Sequence, residues 1–173
     1  AKPELAAKAD TVRNTILTQS FDGTFFIDNA NRKKNGELEK TRNRTEVCQY
    51  FAFYFQIATP QTHAALWEML INEFGPQRNE TKAYPEIHPA NAFIGNYLRM
   101  ELLSNAGLTK QLRHELTSYF LEMAKKTGTL WENMNSSASC NHGFASHVIY
   151  CLYRDILGVK IDFPKKVVNL TLR

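Results

Sequence analysis

The chain has 173 residues, 43% hydrophobic and 22% charged, with a formal net charge of +4, a balance ordinary for one globular domain with room for a core. No run approaches the roughly 18 apolar residues of a membrane span. The densest basic cluster, "RKKNGELEKTRNR" from Arg32 to Arg44, is broken by two glutamates and holds no aromatics, so a solvated loop is expected there and not a single-strand stacking platform.

Periodicity predicts six helices. The first covers residues 3–19, with Pro3 in its first turn and Leu5, Val12, Ile16 and Leu17 on a rough stripe. Residues 45–58, "TEVCQYFAFYFQIA", are apolar nearly all round, which predicts burial on both sides. Residues 61–74 are amphipathic, with Trp67 on the core side, and Gly75-Pro76 stops them. A largely apolar helix is expected over 90–106 and an amphipathic one over 109–126. The last, 141–157, ends at Gly158, and the segment after it alternates like a strand from Val167 onward. Cys48, Cys140 and Cys151 are too few for a disulfide framework and are expected as thiols. A start at Ala1 rather than Met implies a processed or truncated N-terminus. The compartment stays open, with a bacterial periplasmic or secreted setting favoured.

Amphipathic helices thus alternate with helices apolar over most of their circumference. The apolar ones start near Thr45, Asn91 and Asn141, roughly 46 and 50 residues apart, the spacing of a helical-hairpin repeat. The predicted fold is all-α: inner and outer helices in about three hairpins over residues 1–158, and a short β segment over 159–173. Links from inner to outer helices are short, and those from outer to inner (20–44, 75–89 and 127–140) are long. Long links in compact domains commonly carry function, and these three are expected on the face holding the N-termini of the inner helices.

Two stretches, "GTLWEN" at 128–133 and "SASCNHGFASHVIYCLYRDILGV" at 137–159, resemble the catalytic domain of the α-L-rhamnosidases of glycoside hydrolase family 78, within the six-hairpin glycosidases. "TEVCQYFAFYF" and "NAFIGNYLRMELLSNAG" add weaker support. The resemblance implies the later half of an (α/α)6 toroid, followed by the start of a β-sandwich. It also implies an inverting hydrolase of rhamnoside-containing glycans that needs no cofactor or metal. The family's general acid lies in an earlier hairpin with no counterpart here, so the isolated chain is expected to be inactive. Its expected partners are carbohydrate and either the other half of the barrel or further copies of itself, with no nucleic acid and no membrane. The spacing from Glu132 to His142 is shorter than typical members would have, which leaves other sugar specificities open.

Inverting hydrolysis needs a carboxylate to deprotonate a water on the sugar face opposite the acid. The family position matching Glu132 is that general base. Trp131 beside it would limit solvent and touch the sugar. His142 matches a residue that holds sugar hydroxyls, since an imidazole both donates and accepts. Glu46, Glu86 and His88, at the link-to-helix junctions, are the remaining candidates for the subsite wall, and Glu46 also suits a helix N-terminus electrostatically. His147 is expected to pack or cap. Of Cys140, His142, His147 and Cys151 only the His pair has a ligand-like spacing, so a zinc site is not expected. A non-catalytic helical module binding glycan or protein is the reading from another class. Half a toroid would leave inner-helix faces such as Phe51, Phe53 and Phe55 uncovered.

Overall fold

The structure is a computed structural model that describes residues 2–91, 93–133 and 135–171. It is mostly α-helical, and the chain divides into two compact units, Ala1–Pro89 and Ala90–Arg173.

In the first unit, α1 (Pro3–Ser20) begins with Pro3 in its opening turn but buries no residue. Leu5 and Val12 of its predicted stripe are exposed. The basic cluster is not a plain loop, because β1 (Ala30–Arg32) and β2 (Leu38–Lys40) pair antiparallel, Asn31 opposite Glu39. Both strands are exposed throughout. Helix α2 (Glu46–Tyr54) is capped by the Thr45 hydroxyl, which accepts from the Cys48 amide at 3.1 Å. Asp28 accepts in turn from the Thr45 amide and hydroxyl, each at 3.0 Å. The helix stops short of the expected 58, since Gln56 adopts a left-handed φ of 56° that a helix cannot continue through. Helix α3 (Ala64–Asn72) follows, and the link after it contains the short α4 (Arg78–Thr81). The core gathers Phe26, Tyr50, Phe53, Leu66, Leu70, Phe74 and Ile87, with Trp67 packed 5.1 Å from Phe53 as its amphipathic position implied.

The second unit is built on α5 (Ile94–Asn105), whose side chains from Leu98 to Leu103 are all buried. The amphipathic segment runs as α6 (Thr109–Glu115), a π-helical turn Leu116–Phe120 and α7 (Leu121–Thr127). It presents Leu112, Leu116, Phe120 and Met123 to the core. Arg99 forks onto Glu115 at 2.6 and 2.7 Å, so a buried charge on α5 is neutralised from α6. The last expected helix is broken into three pieces: a 3₁₀ turn Gly143–Ser146, α8 (His147–Cys151) and a π-helical turn Leu152–Ile156. Strand β3 (Val159–Asp162) then pairs antiparallel with β4 (Val167–Leu170), so the strand character starts earlier than Val167 and forms a hairpin. The remainder of the expected strand, Leu172 and Arg173, lies outside the described residues. Gly158 joins helix to hairpin with φ +71°, and a Cβ there would lie 1.8 Å from the Thr171 carbonyl oxygen.

Candidate active site

The second unit brings Glu132 and His142 together. Two backbone hydrogen bonds close the segment between them, from the Glu132 amide to the Ser139 carbonyl at 2.9 Å and from the His142 amide to the Leu130 carbonyl at 2.8 Å. The Thr129 hydroxyl adds a bond to the Cys140 carbonyl. The ten-residue spacing is thereby folded back on itself, and His142 Nδ1 lies 3.9 Å from Glu132 Oε2 with both side chains part-exposed. That gap exceeds a direct hydrogen bond, so both groups keep capacity for a third polar atom. His142 is the extended residue just before the 3₁₀ turn (φ −117°, ψ 112°), not the first residue of a helix. Its imidazole is flanked by Phe93, with ring centroids 4.6 Å apart, and by Phe144 at 6.2 Å.

Trp131 has a different place from the one expected. It is only 6% exposed. Its Nε1 donates to the Thr127 hydroxyl at 2.8 Å, and Lys126 Nζ stands 5.8 Å from the centre of the indole. The indole therefore anchors the segment to the end of α7 instead of offering a free face to a sugar. An amphipathic ring with its N–H satisfied is a core group.

Glu46 is also corrected. It is 1% exposed, and both carboxylate oxygens are engaged. Oε2 accepts from Arg78 Nη1 at 2.6 Å, and Oε1 accepts from the Gly75 amide at 2.9 Å and from the Tyr50 hydroxyl. Arg78 spends its other donors on the carbonyls of Ala83, Tyr84 and Ile87. This is a buried ion pair with its hydrogen bonds satisfied, closed to a ligand. Glu86 and His88 are exposed. The His88 backbone is paired between Arg44 and Glu46, with the His88 amide donating to Arg44 at 3.0 Å and its carbonyl accepting from Glu46 at 2.9 Å. Glu46, Glu86 and His88 belong to the first unit, whereas Glu132, Trp131 and His142 belong to the second.

A second polar cluster, which sequence reasoning missed, ties α8 to α5. His147 Nε2 and Glu101 Oε1 are 2.8 Å apart, Arg154 Nη1 donates to both Glu101 oxygens at 2.9 and 3.0 Å, and Arg154 also forks onto Asp155. Burial pushes the Glu101 carboxyl up, but the His147 bond and the Arg154 guanidinium outweigh it and hold it below its ordinary value. Glu101, His147 and Cys151 place ligand-type atoms within 4.8 Å of one another. The guanidinium of Arg154 already supplies the positive charge there. Burial pushes the Cys151 thiol up to about 12, which disfavours the thiolate form of a nucleophile. Cys48 is pushed up to about 12 as well, by burial and then by Asp28. His147 gave one usable hint in sequence, its four-residue offset from Cys151, while Glu101 is remote in the chain and gave none.

A cavity of about 570 Å³ also lies in this unit, between α8 with its following turn and the β3–β4 hairpin. It is walled by Ile149, Tyr150, Tyr153, Val159, Ile161 and Phe163 among others, and neither Glu132 nor His142 lines it. Among the described residues no helix is long and apolar enough to cross a membrane. Comparison of the chain with family models, with curated proteins and with solved structures finds no match.

Proposed function

We propose that the chain is the later half of an inverting glycoside hydrolase resembling the α-L-rhamnosidases, and that Glu132 is its general base. The observation that carries this reading is the closure of the 129–142 segment, which sets the Glu132 carboxylate beside the His142 imidazole, both part-exposed and neither saturated by protein partners. In the proposed step Glu132 takes a proton from water as the water oxygen bonds to the anomeric carbon. The bond from that carbon to the leaving oxygen breaks, and a carboxylic acid from the preceding hairpins protonates that oxygen. His142 holds a sugar hydroxyl. Trp131 and Thr127 hold the base in register from beneath. The alternation of helices supports the toroidal part of the proposal, in which this chain supplies about three of six hairpins and the β3–β4 hairpin begins a further β-domain. The site lies on the intact enzyme, so hydrolysis of an aryl α-L-rhamnoside is to be followed in the protein carrying both halves. Glu132→Gln should cut turnover by roughly 10²–10⁴-fold, the range of general-base catalysis, and unchanged turnover would remove Glu132 from the mechanism.

A second reading has its own observation. Phe51 and Phe55 stack with ring centroids 5.8 Å apart on the outer face of α2 and are exposed. Uncovered apolar faces of this kind suit a helical module that binds glycan or protein without catalysis. A six-hairpin glycosidase of different sugar specificity is the third.

A further inference from the structure

Where α8 meets α5, side chains of three ligand types converge. His147 and Cys151 stand one helical turn apart in α8 and so share a face, and Glu101 meets them from α5. Glu101 Oε1 is 2.8 Å from His147 Nε2, and the carboxylate oxygen, the imidazole nitrogen and the Cys151 sulfur all lie within 4.8 Å of one another. Around a tetrahedral ion, with bonds of about 2.0–2.3 Å, such atoms stand roughly 3.3–3.6 Å apart. Closing on a metal therefore takes shifts on the order of 1 Å. Arg154 bonds both Glu101 and Asp155, and these three side chains together leave one net negative charge. A divalent ion that displaces the thiol proton brings that balance to zero, with the imidazole neutral as ligation requires.

We propose that Glu101, His147 and Cys151 bind a divalent transition ion of the zinc class, through one oxygen, one nitrogen and one sulfur, with water in the fourth place. The mixed donor set suits zinc or cobalt, whereas magnesium and calcium take oxygen donors. Arg154 stays at the site: Nη1 keeps Glu101 Oε2 at 3.0 Å while Oε1 turns to the metal, the outer-shell support that ligating carboxylates receive. Arg154 Nη2 also stands 3.9 Å from the Cys151 sulfur. The same arginine lines the 570 Å³ cavity with Tyr150 and Ser146, which gives the ion a route from solvent. On binding, the sulfur–metal bond forms as the Cys151 S–H bond breaks, and that proton leaves to solvent. The His147 proton moves from Nε2 to Nδ1, so one proton is released per ion bound.

All three ligands belong to the second unit, so the test on this chain is independent of the glycosidase reading and of the hairpins that reading adds. The probe is Co²⁺, titrated into the reduced chain and followed by absorption. A sulfur-to-cobalt charge-transfer band should saturate at one ion per chain and be bleached by Zn²⁺. Cys151→Ser should lose the band, whereas Cys48→Ser and Cys140→Ser, which change the other two thiols, should keep it. His147→Gln should weaken cobalt binding by more than about 10-fold, since even outer-shell changes commonly cost that much. Circular dichroism matching wild type keeps the comparison one of ligation. The absence of a band in wild type, a band kept in Cys151→Ser, or an unchanged affinity in His147→Gln would overturn the site.

Discussion

Glu46 opens an expected inner helix and Glu132 lies in the link ahead of another, and their neighbours give them opposite fates. Around Glu46 the chain places Arg78, Tyr50 and the Gly75 amide, so the carboxylate is spent on holding α2 to the 75–78 turn. Arg78→Ala leaves that buried charge unpaired and should destabilise the chain by about 3–5 kcal/mol, read as a lowered urea midpoint. Among the described residues Glu132 has His142, 3.9 Å away, as its one potential ion-pair partner, so Glu132→Gln should leave the same midpoint nearly unmoved. Glu101 adds a pH signature. Its folded carboxyl lies below the ordinary 4.5, so it gives up its proton more readily folded than unfolded. The stabilisation is complete above that ordinary value and is lost as pH falls through the lowered one. Urea titrations of wild type and Glu101→Gln should differ most at neutral pH and converge in acid. A gap that widens on acidification would contradict the arrangement of His147 and Arg154 around Glu101. None of these distinctions was legible in sequence, because Arg78 lies 32 residues from Glu46 and Arg154 lies 53 from Glu101. Residue type and local spacing identify a carboxylate, and only tertiary contact decides whether it is free.

At the scale of elements, the helices were legible where a long apolar pattern met a stop signal. Helix α3 and the α6–α7 rod match the amphipathic reading, and Gly107 and Gly128 close their helices in the left-handed conformation as expected of glycine. The misses have physical causes. The β1–β2 hairpin carries no alternating apolar face to betray it, since both strands are exposed throughout. Residues 141–157 run as a 3₁₀ turn, α8 and a π-helical turn, changes of hydrogen-bond ladder that an apolar pattern of helical period does not encode. The start of the terminal hairpin depends on Gly158, whose left-handed φ and contact with Thr171 leave no room for a side chain. Gly158→Ala should cost about 1–3 kcal/mol of local stability. Faster hydrogen exchange confined to β3 and β4 is the expected result, and unchanged protection there would show that the hairpin closes without that contact.

For the whole molecule, the sequence pattern of helices apolar on all sides meets a structure that leaves apolar faces in water. Phe55 in the first unit, and Ile149, Tyr150, Tyr153 and Leu157 in the second, are more than half exposed. In the proposed toroid the remaining hairpins cover such faces, so the isolated chain should self-associate or be held by its other half. Sedimentation velocity should show species larger than the 19.8 kDa chain, shifting toward monomer in Tyr153→Ser. A stable monomer across concentrations would count against the half-barrel. The central claim, that Glu132 activates water for inversion, is tested most directly by the configuration of the first sugar released. Proton NMR of the intact enzyme acting on an α-L-rhamnoside should show β-L-rhamnose before mutarotation, with its appearance abolished in Glu132→Gln. Release of α-L-rhamnose first, or β-L-rhamnose appearing at the wild-type rate from Glu132→Gln, would contradict the account.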